Sequence, residues 1–159
     1  MKICVYTISK NEEKFVSRWI NSMKEADEIY VLDTGSTDNT VKLLKEKGIK
    51  VKQKIITPWR FDVARNESLK LLPEDTDICV CTDLDEVFEP GWRKKLEKSW
   101  QENTTRARYT YNWKLDENNK PIISFYSDKI HALKNYTWIN PVHDCLLYTS
   151  PSPRDGLLS

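Results

Sequence analysis

The sequence predicts an α/β protein: a mostly parallel central sheet flanked by helices, with a C-terminal β-hairpin. Two observations carry that expectation. Through the first part of the chain, up to "GWRKKLEKSW", short β-rich apolar runs alternate with amphipathic segments in a βαβαβαβα rhythm. Right-handed crossovers turn such a rhythm into a parallel sheet covered on both sides. The texture then changes to alternating Tyr, Trp, Ile and Phe on either side of a "DENN" turn, which is the pattern of an antiparallel hairpin.

The opening run "KICVYTI" reads as the first strand. In "KNEEKFVSRWINSM", Phe15, Val16, Trp19, Ile20 and Met23 recur at helical spacing, so an amphipathic helix follows. "DEIYVLD" is the second strand. "TGSTDNT" turns into the helix "NTVKLLKEKG": Ser36 or Thr37 is expected to cap it, Asp38 to favour its positive end and Gly48 to stop it. "IKVKQKII" supplies a third strand and "DVARNESLKLL", ended by Pro73, a third helix. "DICVCT" is a fourth strand, apolar in its body as expected when both faces are covered. "GWRKKLEKSW" is a fourth helix with Trp92, Leu96 and Trp100 on one face. "RARYTYNWKLDENNKPIISFYSDKIHAL" reads as the hairpin plus a further strand.

A chain of 159 residues suits one domain with a core of its own. Its 25 basic and 24 acidic residues leave a net charge of +1, so no global field favours nucleic acid or an anionic membrane, and specificity must sit in a local site. No apolar run approaches the ~20 residues that span a bilayer. The N-terminal apolar run is too short for a secretory signal. A cytoplasmic location is expected, and the Asn-x-Ser/Thr triplets at Asn66, Asn103 and Asn135 then imply no glycosylation. Peripheral association with a membrane stays open. Cys4, Cys79, Cys81 and Cys145 form no CxxC pair, and the first three read as small apolar residues in buried strands. The last stretch, "LLYTSPSPRDGLLS", has no periodicity and looks like a translated cloning junction. Residues 1–145 are therefore expected to be the domain and 146–159 a non-native or disordered tail.

The chemistry centres on "CTDLDE", where a buried strand ends in Asp83, Asp85 and Glu86. Asp33 ends the second strand in the same way, and ligands of α/β sheets bind at the carboxyl ends of strands. In extended chain Asp83 and Asp85 point the same way. Carboxylates this close hold protons unless something positive compensates, and a divalent cation, magnesium or manganese, is the simplest compensation among oxygen ligands. A solvated turn capping the next helix would show the same acids.

With "ISKNEE", "VLDTGSTDNT", "WRFDVARNESL", "CTDLDE" and "WINPVHD" in this order, the sequence resembles family 2 glycosyltransferases of the GT-A (nucleotide-diphospho-sugar transferase) fold, over Met1 to Asp144. The resemblance implies a divalent-metal-assisted transfer, with inversion, from a nucleotide-diphosphate sugar, first among them a UDP-sugar, to a glycan, lipid-linked or other hydroxyl acceptor. It also suggests a setting in cell-surface polysaccharide or lipopolysaccharide synthesis. Ser9 and Glu12 fall in a loop that borders the nucleotide base, although Glu12 also suits a helix start. Asp33 matches the acid that accepts a hydrogen bond from the base, or else caps a helix. Arg65 is expected near the nucleotide, or in a structural ion pair with Asp62 or Asp83. Asp62 and Asn66 are expected to shape the same pocket. The resemblance puts Asp83 on the ribose and Asp85 on the metal, and makes Glu86 a helix-start residue or a support for the metal site. It gives His143 to the metal or to the diphosphate, and makes Asp144 the general base. His131 reads as structural. Trp59, Tyr111, Trp113 and Trp138 are either core residues or sugar-stacking platforms, with Trp138 the best placed. Two rivals remain: a metal-dependent nucleotidyltransferase, whose Gly-rich basic first loop is missing from "TISKNEE", and a non-catalytic fragment that only binds a nucleotide sugar.

Overall fold

The computed structural model describes residues 1–149. Its main sheet has the order β3-β2-β1-β4-β6-β5. The strands are β1 (Ile3–Ser9), β2 (Glu28–Asp33), β3 (Lys50–Gln53), β4 (Ile78–Cys81), β5 (Arg106–Leu115) and β6 (Pro121–His131). The first four run parallel, β6 lies antiparallel to β4, and β5 antiparallel to β6. Helices α1 (Val16–Met23), α2 (Thr40–Glu46), α3 (Phe61–Leu69) and α4 (Trp92–Ser99) alternate with the strands. A separate two-stranded sheet joins β7 (Tyr136–Ile139) to β8 (Cys145–Tyr148). Of the tail set apart at residue 146, β8 takes the first three residues, and 150–159 lie outside the described residues.

The alternation of side chains along a strand sorts the core into two layers. Ile3 and Val5 of β1 join Ile78 and Val80 of β4 on one face, beneath Trp19, Met23, Leu44, Trp92 and Leu96 from α1, α2 and α4. Cys4, Tyr6, Cys79 and Cys81 face the other way, toward Leu72, Trp138 and Leu146. Three of the four cysteines are thus fully buried apolar residues, as expected. At one edge, β3 carries Lys50 and Lys52, both exposed, which discourages pairing with another chain. The predicted hairpin is present but not independent. Its second strand extends the main sheet through Cys79↔His131 and Val80↔Ile130. The further strand expected within it is absent: the two strands of the hairpin take up the whole segment. Asp116 makes the turn, accepting hydrogen bonds from the Asn118 and Lys120 amides at 2.8 Å each.

The start of α1 and the capping of α2 differ from expectation for one shared reason. α1 begins at Val16, after a 3-10 turn at Glu13–Phe15. The Asn11 amide donates to Ser36 Oγ at 2.8 Å, and Asn11 Oδ1 accepts from the Thr37 amide at 2.7 Å. This cross-bracing of the two loops keeps the chain out of helix near Asn11. It also occupies Ser36 and Thr37, so neither caps α2. Asp38 does that work instead, accepting from the Thr40 amide at 2.9 Å. Gly48 stops the helix as expected, with φ +77°.

A buried polar chain fastens the small sheet to the large one. His131 Nδ1 lies 2.7 Å from the Ala132 carbonyl, which can only accept, so Nδ1 carries the proton. Nε2 therefore accepts from Tyr6 Oη at 2.7 Å, and Tyr6 Oη accepts from Trp138 Nε1 at 2.9 Å. This fixes a neutral, structural His131, and burial lowers its pKa to about 4. The unfolded chain takes up that proton near pH 6.5 and the folded protein only near 4. Stability is therefore intact above pH 6.5 and falls as the pH drops toward 4, by roughly 3 kcal/mol for this group. Glu12 and Glu86, raised by burial, titrate with the opposite sign. The difference between wild type and His131→Gln therefore isolates the imidazole. In urea titrations between pH 7 and 4.5, wild type should lose stability more steeply than the variant; parallel curves would contradict the assignment.

Candidate active site

Strand order reverses at β1: β2 and β3 lie to one side and β4 to the other. A crevice outside the carboxyl ends of strands opens at such a reversal. Ser9 closes β1, Asp33 closes β2 in register with it, and Asp83 to Glu86 follow β4.

Asp33 is fully buried and spends its carboxylate on the turn that follows it. Oδ2 accepts from Ser9 Oγ at 2.8 Å and Ser36 Oγ at 2.6 Å, and Oδ1 from the Gly35 and Ser36 amides at 3.1 and 2.9 Å. Gly35 has φ +124°, and a Cβ there would meet Ile55 Cδ1 at 2.9 Å. Ser9 and Asp33 are thus brought together as one unit.

Arg65, on α3, is 5% exposed and reaches across the crevice. Its Nη2 donates to Asp83 Oδ1, its Nε to Asp144 Oδ2 at 2.9 Å, and its Nη1 to Cys81 Sγ at 3.6 Å. The guanidinium also lies 5.6 Å from the Trp138 ring centroid. Of the two ion pairs foreseen for Arg65, the one with Asp83 forms. Asp62 instead pairs with Arg60 at 2.8 Å. Asn66 does not line the crevice either: it clamps β7, accepting from the Trp138 amide at 2.8 Å and donating to the Trp138 carbonyl at 2.9 Å.

Lys129 went unnoticed in the sequence. It is largely buried, 2.8 Å from Glu86 Oε1 and 3.9 Å from Asp83 Oδ2. Its only sequence signal is phase, since it shares a strand face with His131 two residues on. Arg65, Asp83, Lys129, Trp138 and Asp144 line one cavity of about 300 Å³. Burial pushes the Asp83 carboxyl up, but the charges of Arg65 and Lys129 outweigh it and hold the pKa below the usual carboxylate range. Burial raises that of Glu86. Glu12 is raised to about 7, by burial first and then by the charges of Asp85 and Asp83, so it belongs to the same electrostatic group. These contacts correct the argument that the acids need a dication for compensation. Protein cations already face Asp83 and Glu86, and among the described residues only Asp85 of the three has no ion-pair partner.

A divalent cation nonetheless fits here. Asp83, Asp85 and Glu86 each offer an oxygen within 4.8 Å of the others, and hard oxygen donors suit magnesium or manganese. Arg18 Nη2 holds the Asp85 carbonyl at 3.0 Å, which steadies the loop. His143 is exposed and stands outside that carboxylate group, beside Asp144. Among the aromatics, Trp138 is 4% exposed and bonded to Tyr6, whereas Trp113 is 63% exposed. Trp59 packs edge-on against Phe61, and Tyr111 stacks at a tilt on Phe125.

Comparison with known proteins agrees with this architecture. The family model for Glycosyl transferase family 2 matches residues 4–153. An uncharacterized glycosyltransferase of Rickettsia typhi is 48% identical over 115 residues, covering 72% of this chain and 38% of the relative. Glucosyl-3-phosphoglycerate synthase from Mycobacterium tuberculosis, solved with uridine diphosphate, aligns with a TM-score of 0.55 at 26% identity, over 66% of this chain and 42% of that one. Staphylococcus aureus TarS residues 1–349 share the fold, with a TM-score of 0.54 at 24% identity over 62% of this chain and 32% of theirs. The chain therefore spans well under half the length of these relatives. The fold is the GT-A fold expected from the sequence, and the chain belongs to glycosyl transferase family 2.

Proposed function

We propose that this domain binds a nucleoside-diphosphate sugar, foremost a UDP-sugar, and transfers the sugar to a hydroxyl acceptor with the help of magnesium or manganese. The observation that carries the proposal is the convergence of Asp83, Asp85, Arg65 and Asp144 at the strand-order reversal. Uridine diphosphate in the mycobacterial relative supports the choice of nucleotide. The acceptor class, whether glycan, lipid-linked or other, belongs to the same proposal.

In this reading Glu12 borders the base, Ser9 and Asp33 hold the turn that shapes that side of the crevice, and Asp83 faces the ribose. Asp85 holds the cation, which would neutralise the charge growing on the departing diphosphate. His143, outside the carboxylate group, takes the diphosphate role rather than a place on the metal. Asp144 is the base. It takes the proton of the acceptor hydroxyl as that oxygen bonds to the anomeric carbon, while the bond from that carbon to the diphosphate breaks and its electron pair leaves with the nucleotide. Arg65 orients Asp144 through its 2.9 Å hydrogen bond.

Isothermal titration with UDP, with and without Mn2+, tests the binding half. Asp85→Ala should abolish the Mn2+-dependent part of UDP affinity, and unchanged affinity would remove the metal-site claim. Hydrolysis of UDP-glucose and UDP-N-acetylglucosamine tests turnover. Asp144→Asn should cut the rate by about a hundredfold or more while leaving UDP affinity in place. An equal loss in both would assign Asp144 to binding. UDP affinity without hydrolysis in wild type would favour a binding module, and turnover of nucleoside triphosphates a nucleotidyltransferase.

A further inference from the structure

The three acids after β4 do not share one environment. Both oxygens of Asp83 face protein cations: Arg65 bonds Oδ1, and Lys129 lies 3.9 Å from Oδ2. Arg65 is itself 5% exposed, so drawing Asp83 away to a metal would break one of the two ion pairs of a buried guanidinium. Glu86 is 6% exposed. Lys129 engages its Oε1 at 2.8 Å, while Oε2 is buried with no hydrogen-bond partner among the described residues. A carboxylate oxygen removed from water without a partner is costly, so such an atom marks a place where a partner is missing. Asp85, next along the chain, is exposed and free of ion pairs among the described residues.

We propose that the divalent cation is held by Asp85 and Glu86, with Asp83 kept out of its coordination shell by Arg65 and Lys129. The inference rests on the reading of this crevice as a metal-assisted diphosphate site and adds which residues make it. Ligand oxygens lie within 4.8 Å of one another, close to the spacing of roughly 3–4 Å in an octahedron with bonds of about 2.1 Å. Arg65 pairs with Asp83 and Asp144, and Lys129 with Asp83 and Glu86, which leaves Asp85 without a cation of its own among the described residues. Glu86 then serves the metal through Oε2 while Lys129 fixes its other oxygen, which holds the ligand in a set orientation.

The test titrates Mn2+ alone into wild type, Asp83→Asn, Asp85→Asn and Glu86→Gln, reading free Mn2+ by electron paramagnetic resonance and fold by circular dichroism. Glu86→Gln and Asp85→Asn should each weaken binding by about tenfold or more, and Asp83→Asn should stay close to wild type. If folded Glu86→Gln keeps wild-type affinity while Asp85→Asn loses it, or if Asp83→Asn loses as much as Glu86→Gln, the inference falls and the metal-site reading stands. If wild type takes up no Mn2+ with or without UDP, both fall. Wild-type crystals soaked in MnCl2 give a check that needs no variant: the anomalous peak should lie at bonding distance from Glu86 Oε2, and a peak bonded to Asp83 instead overturns the assignment.

Discussion

A buried guanidinium needs partners, and that requirement organises this molecule. Arg65 sits under the crevice with its three nitrogens committed to Asp83, Asp144 and Cys81. Asp83 follows β4, and Asp144 comes 79 residues after Arg65 in sequence, just before β8. One side chain on α3 thereby fastens the small sheet to the loop after β4. Asn66, the next residue, repeats the tie by clamping both the amide and the carbonyl of Trp138. The buried Trp138–Tyr6–His131 chain adds a third connection beneath them. Separated charges and polar groups of this kind are costly unless every partner is present. The crevice therefore forms only when β1, α3, β4, β6 and β7 are all in place.

The same logic divides the acids. Close carboxylates repel, and the protein relieves much of that repulsion internally, with Arg65 on Asp83 and Lys129 on both Asp83 and Glu86. What is left among the described residues is a residual negative charge at the open side, on Asp85, and an unpaired oxygen on Glu86. A site built this way is rigid on its protein side and wanting on its ligand side. That suits a cation which keeps few protein ligands and fills its remaining positions with water and phosphate.

The aromatic residues divide by burial rather than by type. Trp19 and Trp92 serve the core, each with its indole N–H satisfied, by Thr82 Oγ1 and the Ser22 carbonyl respectively, both at 2.8 Å. Trp138 lines the cavity wall but is anchored through Tyr6. Trp113, Phe125 and Tyr126 stand exposed along the outer half of the hairpin.

The sequence by itself determined the αβ alternation, the first four strands and the hairpin, the Gly48 stop, the hairpin turn at Asp116, the burial of Cys4, Cys79 and Cys81, and the gathering of Asp33 and Asp83–Glu86 at one sheet edge. Those follow from periodicity and from short-range chemistry, which operate over a few residues. It missed β7 and β8, and it did not determine which charges meet. Lys129 reaches Glu86 across 43 positions and Arg65 reaches Asp144 across 79, and neither distance leaves a trace in local pattern. The start of α1 and the capping residue of α2 were misjudged for the same reason, because Asn11 and Ser36 bond across two loops. Only the tertiary structure decided the pairing of the buried cations, because the demand that a desolvated charge find its opposite is met by whatever the fold brings near, not by what the chain places next to it.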